Sequence, residues 1–152
     1  MHPDLVVAPL KQLLDRLAAD VSVEAAHARI RHGLFAMAIP GGSAGTHGFP
    51  VFSTVLFDWD VTHIFWVDER AVPHSSPDSN FALADSLWLR KSGASPSSIH
   101  PMPVDGRDLN AAAAAYGNEI VRVLGSPPLL GLAQAHSVTE DLSRRAVVNV
   151  LP

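Results

Sequence analysis

Residues 34–43, which read LFAMAIPGGS, decide the fold. Six apolar residues in a row (34–39) are typical of a strand that is buried on both faces, as the strands of parallel sheets are. The Pro-Gly-Gly-Ser sequence that follows is a strong turn signal, so we expect the strand to end there. A strand buried on both faces needs a layer of helices on each side, which predicts an α/β architecture.

The rest of the chain alternates helix and strand patterns around this segment. A run rich in β-branched and aromatic residues, 61–67, predicts a second buried strand. Prolines at alternate positions make 99–104 extended, and two weaker strand candidates follow at 129–132 and 146–151. Helical spacing or capping predicts helices over 8–30, 78–89 and 109–124. We therefore expect a single domain, 1–152, with a three-layer α/β fold and a mostly parallel sheet flanked by helices.

Composition excludes several classes of protein. The 152 residues contain no cysteine, so disulfides, thiolate zinc sites and a cysteine nucleophile are excluded. A net charge of −4 argues against a nucleic-acid partner, and no apolar run reaches about 18 residues, which argues against a membrane span. The N-terminus lacks the pattern of a secretory signal, and the sequence leaves a cytoplasmic or endoplasmic location open.

The Gly41-Gly42-Ser43 turn is the first candidate site. Glycines let backbone N–H groups approach an anion closely, and the serine hydroxyl adds a donor. A plain tight turn is an equally valid interpretation of these residues. Residues 41–45 also spell G-x-S-x-G, the nucleophile elbow of serine hydrolases, but that motif needs a following helix. We do not expect a helix here, because Gly45, Gly48 and Pro50 follow at once.

The second candidate is Asp68-Glu69-Arg70, directly after the second strand. In an open parallel sheet, ligands bind beyond the carboxyl ends of the strands, where these three residues belong. Arg70 can hold a phosphate or carboxylate with its planar guanidinium group. The alternative is a solvated strand end with a local ion pair.

Eight histidines are present, and any of them could act as a base near neutral pH. No pair has the H-x-x-x-H spacing of a helical metal site, so we predict no metal. We interpret His27 and His63 as structural, because they fall within a predicted helix and a predicted strand. His74 and His136 lie in loop-like segments and stay open.

Four segments together resemble the 6-phosphogluconolactonase family. They are 35–43 (FAMAIPGGS), 66–73 (WVDERAVP), 77–81 (PDSNF) and 99–104 (IHPMPV). The likeness is closest to the lactonase domain of the endoplasmic bifunctional hexose-6-phosphate dehydrogenase/6-phosphogluconolactonase. It covers about residues 8–124, and the Asp-Glu-Arg and Ser-Asn segments in this order carry most of its specificity.

The resemblance implies hydrolysis of 6-phospho-D-glucono-1,5-lactone, a sugar-phosphate lactone of the pentose phosphate pathway, without a cofactor or metal. It assigns the substrate phosphate to Gly41, Gly42, Ser43 and Arg70. Asp68 and Asn80 would shape the pocket. His136 would be the catalytic base, and Arg70 would also stabilise charge on the carbonyl oxygen.

The sequence departs from the family pattern at two places. Residues 44–50 (AGTHGFP) replace the family's small residue and proline after Gly-Gly-Ser. Residues 130–137 (LGLAQAHS) are one residue shorter than Leu-Gly-x-Gly-x-Asp-Gly-His-Thr, and the helix–strand units that follow it in the family are largely absent. A truncated or non-catalytic member that binds sugar phosphates is therefore the second hypothesis, and an isomerase or deaminase of the same fold is the third. A shortened sheet also predicts self-association through an uncovered strand edge.

Overall fold

The structure, a computed structural model, describes residues 7–105, 108–125 and 145–147. Within these ranges, four α-helices and five strands follow one another along the chain, with two short 3-10 helices after the third α-helix. The elements are α1 (Leu10–His32), β1 (Phe35–Ile39), α2 (Gly42–Phe52), β2 (Thr62–Trp66), β3 (Asp68–Arg70), α3 (Asn80–Leu87), the 3-10 helices Leu89–Lys91 and Pro96–Ser98, β4 (Ile99–His100), α4 (Leu109–Leu124) and β5 (Arg145–Val147).

A parallel sheet in the order β1-β2-β4 lies at the centre of the fold. Phe35 lies opposite Thr62 at one end of the β1–β2 pair, and Ile39 lies opposite Trp66 at the other. Strand β3 is separate and pairs with β5 in antiparallel orientation. The strands expected at 34–39 and 61–67 are confirmed, and β5 overlaps the candidate at 146–151. The candidate at 129–132 lies outside the described residues.

Helices cover both faces of the parallel sheet. Successive side chains of a strand point to opposite faces. On one face the ring of Phe65 meets the edge of Tyr116 from α4, with centroids 6.2 Å apart. On the other, the ring of Trp66 lies 5.6 Å from that of Phe81 in α3. The three-layer α/β prediction is therefore confirmed.

Helix α2 contradicts one expectation. The glycines and Pro50 argue against a helix after Ser43, yet residues Gly42–Phe52 are helical. Phe49 and Phe52 from this helix are buried, and both rings pack on Trp88. Burying two phenylalanine side chains contributes roughly 1.5–3 kcal/mol each. This is comparable to the cost of the three glycines, about 1 kcal/mol each, and of Pro50, about 3 kcal/mol, in a helix.

The helices expected at 8–30, 78–89 and 109–124 correspond to α1, α3 and α4 and are confirmed. Asp108 caps α4 as expected, accepting hydrogen bonds from the backbone N–H groups of Asn110 and Ala111. None of the helices in the described ranges has the length and apolar content needed to cross a bilayer.

Tyr116 completes the edge of β2 where β4 stops. Strand β4 is only two residues long, because Pro101 and Pro103 follow it and cannot donate to a ladder. Beyond that point the backbone N–H of Trp66 donates to the Tyr116 hydroxyl oxygen over 2.6 Å. The hydroxyl donates in turn to the Trp66 carbonyl oxygen over 3.2 Å. A side chain of α4 therefore takes the place of a neighbouring strand.

Candidate active site

Asn80 joins the two segments that the sequence singled out. It is buried at the first position of α3, and its Nδ2 donates to the Asp68 carbonyl oxygen over 2.9 Å and to Asp68 Oδ2 over 3.3 Å. Its side chain also lies against Gly41, so closely that a Cβ on Gly41 would fall 1.9 Å from Asn80 Oδ1. Gly41, Asp68 and Asn80 therefore meet beyond the carboxyl ends of β1 and β2, where ligands bind in open α/β sheets.

Glu69 is the organising residue that the sequence analysis did not assign. Its side chain is completely buried (0% exposed). Its carboxylate accepts hydrogen bonds from the backbone N–H groups of Arg70 and Asn80 at 2.7 Å and of Phe81 at 2.8 Å. The Ser79 hydroxyl donates to it over 3.1 Å. Glu69 therefore fixes the start of α3, and with it the position of Asn80.

The glycine turn opens directly into α2. Gly42 has φ +58°, a left-handed conformation that favours glycine, and it is the first residue of the helix. Ser43 follows it in the exposed first turn. The backbone N–H groups at a helix start have no intrahelical acceptor and point toward the ligand side. The Gly41-Gly42-Ser43 segment thus leads into an exposed helix N-terminus.

The strand–turn–helix context of a nucleophile elbow is present after all. The imidazole nearest Ser43 in sequence, His47, places its Nδ1 2.7 Å from the Ser43 carbonyl oxygen, not from the hydroxyl. In the part of the chain that the structure describes, no histidine is hydrogen-bonded to Ser43 Oγ. The elbow geometry is therefore present, but the described residues supply no histidine base for Ser43.

Arg70 ends β3, next to Glu69. Its guanidinium Nη1 lies 4.0 Å from Asp78 Oδ1, the outer limit of an ion pair, and its side chain is 39% exposed. A loosely held, half-exposed guanidinium group can turn to meet a ligand phosphate. The local ion pair anticipated from the sequence is thus present, and it is weak.

The histidines fall into different environments. His136 lies outside the described residues. His74 is largely buried against the ring of Phe81, and its Nε2 donates to the Met102 carbonyl oxygen over 2.8 Å. His27 is exposed on α1, and His63 is partly buried in β2. Among the described residues, no group of three or more histidine or carboxylate side chains is arranged to hold a metal ion.

Comparison with known proteins identifies the family of the chain. The family described as glucosamine-6-phosphate isomerases/6-phosphogluconolactonase matches residues 9–137. The chain belongs to this family. Among its relatives, the human GDH/6PGL endoplasmic bifunctional protein is 39% identical over 102 residues, which are 66% of this chain and 13% of that protein. A 6-phosphogluconolactonase of Synechocystis sp. is 31% identical over 121 residues, 79% of this chain and 50% of the relative.

The fold is also shared with solved structures of the family. A 6-phosphogluconolactonase from Trypanosoma brucei superposes with a TM-score of 0.68 at 20% identity, covering 79% of this chain and 50% of that one. At this identity the superposition shows the fold. The chain spans half or less of the length of these relatives.

Proposed function

We propose that the chain hydrolyses 6-phospho-D-glucono-1,5-lactone to 6-phosphogluconate. The observation that carries the proposal is the position of Asn80. In a chain of this family, the Asn80 side chain contacts both the glycine turn and Asp68, and so holds the two segments together at the ligand-binding edge of the sheet. Relatives named 6-phosphogluconolactonase support the choice of reaction.

In the proposed complex, the substrate phosphate binds at the start of α2. The N–H groups of Gly42 and Ser43 and the Ser43 hydroxyl donate to it, and the dipole of an 11-residue helix favours its negative charge. Gly41 keeps the turn close to Asn80. Arg70 turns from Asp78 to the phosphate, gaining a charge-assisted hydrogen bond stronger than a 4.0 Å contact.

The chemical step needs a water molecule, a base and charge stabilisation at the lactone carbonyl. A base takes one proton of the water as the oxygen attacks the carbonyl carbon. The ring C–O bond then breaks, and the protonated base returns that proton to the leaving ring oxygen, which becomes a hydroxyl group. The carboxylic acid that forms releases its own proton to solvent and leaves as the carboxylate. We assign the base to His136, and the pocket walls to Asp68 and Asn80. Arg70 stabilises the developing negative charge on the carbonyl oxygen.

A non-catalytic sugar-phosphate-binding protein is the second candidate. The observation that favours it is the histidine segment 130–137, which is shorter than the family pattern and has no aspartate before its histidine. A shift of about 1 Å in a catalytic group can cost on the order of a hundredfold in rate.

The deciding experiment is hydrolysis of freshly prepared lactone, measured against its spontaneous rate. We expect turnover by the wild type, a loss in Arg70→Ala and in His136→Ala, and no change in Arg31→Ala, an exposed arginine on α1. Saturable binding of 6-phosphogluconate without turnover would support the non-catalytic candidate. Turnover of glucosamine 6-phosphate instead of the lactone would show that the deaminase hypothesis is right.

We also propose self-association through β1. Among the described strands, β1 pairs on one side only, with β2. Unpaired strand edges recruit other strands. Light scattering should show a dimer or larger species, and a monomer over a wide concentration range would contradict this proposal.

A further inference from the structure

Three side chains from three elements form a hydrogen-bonded chain away from the candidate active site. His63 is the second residue of β2, His100 ends β4, and Glu119 lies on α4. Nδ1 of His63 lies 3.0 Å from Nε2 of His100, and Nδ1 of His100 lies 2.8 Å from Glu119 Oε1. These three side chains line an open cleft of about 690 Å³. Nothing in the proposed lactonase reaction uses these residues.

We propose that His63 and His100 bind one borderline divalent transition-metal ion, such as Zn²⁺ or Ni²⁺, with water from the cleft as the remaining ligands. Imidazole nitrogen is a preferred ligand of these ions. With metal–nitrogen bonds of about 2.0–2.1 Å, nitrogens 3.0 Å apart would subtend roughly 95° at the ion. This is the angle of neighbouring positions in octahedral or square-planar sites, which suit Ni²⁺. It is smaller than the tetrahedral angle of about 109° that Zn²⁺ prefers, so we expect Ni²⁺ to bind more tightly than Zn²⁺.

Glu119 acts in this site as an orienting group and not as a ligand. Its Oε1 accepts from His100, and Arg122 donates to both of its oxygens, over 2.6 and 2.8 Å. Three N–H donors, two from Arg122 and one from His100, face its two oxygens, an arrangement that a carboxylate satisfies. A carboxylate that accepts from Nδ1–H leaves the lone pair of His100 on Nε2, the atom that faces His63. Metal-bound histidines are commonly held by a carboxylate in this way.

The two histidines differ in freedom. The His100 side chain is only 5% exposed, its ring stacks on Phe65 at 4.5 Å, and it is therefore fixed. His63 is partly exposed at the cleft and can tilt to aim its Nδ1 lone pair at the ion. The ion would lie about 1.4 Å to one side of the line between the two nitrogens. Binding would move the proton that His63 Nδ1 donates to His100 onto Nε2 of His63, which leaves both facing lone pairs free.

The test is calorimetric titration of the full chain, carrying no added histidines, with NiCl₂ and ZnCl₂ at neutral pH. We expect one saturable site that is lost in His63→Ala and in His100→Asn, whose amide can still donate to Glu119. Glu119→Gln should weaken binding by about 10–100-fold. MgCl₂, which prefers oxygen ligands, should not bind. His27→Ala removes an exposed histidine and should leave the site unchanged.

Thermal melts of each variant establish that it is folded before binding is compared. Equal Ni²⁺ binding by the wild type, His63→Ala and His100→Asn would place the ion on other histidines and overturn the proposal. Absence of saturation up to about 1 mM Ni²⁺, equivalent to a binding free energy weaker than about −4 kcal/mol, would overturn it as well. Unchanged affinity in Glu119→Gln would refute the orienting role of that carboxylate.

Discussion

Replacing Glu69 by glutamine should destabilise the fold strongly, although the two side chains have nearly the same shape. Four donors point at the two carboxylate oxygens, at 2.7, 2.7, 2.8 and 3.1 Å. In glutamine, one of the two carboxylate oxygens is replaced by an NH₂ group, which cannot accept a hydrogen bond. That NH₂ group must therefore face two of the four donors. The Ser79 hydroxyl can rotate and accept, but the N–H of Phe81 then stays buried without an acceptor.

An unsatisfied buried donor costs about 1–3 kcal/mol, and each charge-assisted bond that becomes neutral costs about 1 kcal/mol more. The smaller desolvation cost of an amide offsets part of this loss. We therefore expect Glu69→Gln to lower the free energy of unfolding by about 3 kcal/mol, a fall in Tm of roughly 6–12 °C for a chain of this size.

Urea unfolding followed by tryptophan fluorescence measures this difference, since Trp66 and Trp88 are buried. Glu24→Gln makes the same chemical change at an exposed position of α1 and should change stability by less than about 0.5 kcal/mol. If Glu69→Gln is no less stable than Glu24→Gln, then the hydrogen bonds to Glu69 do not fix the start of α3, and the account of the site is wrong.

Four further predictions concern the site and its support. Tyr116→Phe should cost about 2 kcal/mol in unfolding experiments, because the buried N–H of Trp66 loses its acceptor. Burial raises the pKa of Tyr116, so stability should fall as pH rises above about 10, where the unfolded chain releases a proton that the folded chain keeps. Ultraviolet absorbance reports this directly, since Tyr116 is the only tyrosine, and ionisation near pH 10 in the folded protein would contradict it. Gly41→Ala should displace Asn80, because the added Cβ would overlap its side chain, and should abolish lactone hydrolysis. A wild-type rate of hydrolysis in that variant would show that the contact between Gly41 and Asn80 is not needed for activity. Arg70→Lys should raise KM about tenfold, because a point charge replaces a planar donor group, and an unchanged KM would remove Arg70 from the phosphate site.

Much of the fold follows from local patterns. The apolar run at 34–39 and the spacing of the apolar residues in α1 each imply one structure, because burial dictates the residue types directly. Asp108 predicts the start of α4, because its side chain can cap the first N–H groups of a helix. Helix α2 could not be predicted, because its stability comes from contacts of Phe49 and Phe52 with Trp88, a residue more than thirty positions away.

The candidate site was predictable in its parts and not in its organisation. Asp68 and Asn80 were found by family resemblance, and the structure shows that they are hydrogen-bonded. Glu69 belongs to the second candidate segment, but its role in fixing the start of α3 is not predicted, because a charged residue after a strand looks like a solvated one. The available signal was the cap residue Ser79 ten positions later, at the start of a helix that needs acceptors for its free N–H groups. The hydrogen bonds between His63, His100 and Glu119 depend on how β2, β4 and α4 pack together, so no local sequence pattern predicts them.

Three of the four segments that carry the family resemblance, 35–43, 66–73 and 77–81, are joined in one structural unit, and this bears on the question of activity. Glu69 accepts from the backbone at the start of α3, that start places Asn80, and Asn80 fills the space that only glycine leaves at position 41. No one of these segments can change alone without disturbing the others. The phosphate side of the proposed site is therefore held by contacts within the described residues, whereas the proposed base comes from residues 130–137. Loss of turnover with retained sugar-phosphate binding would accordingly point to that histidine segment and not to the phosphate turn.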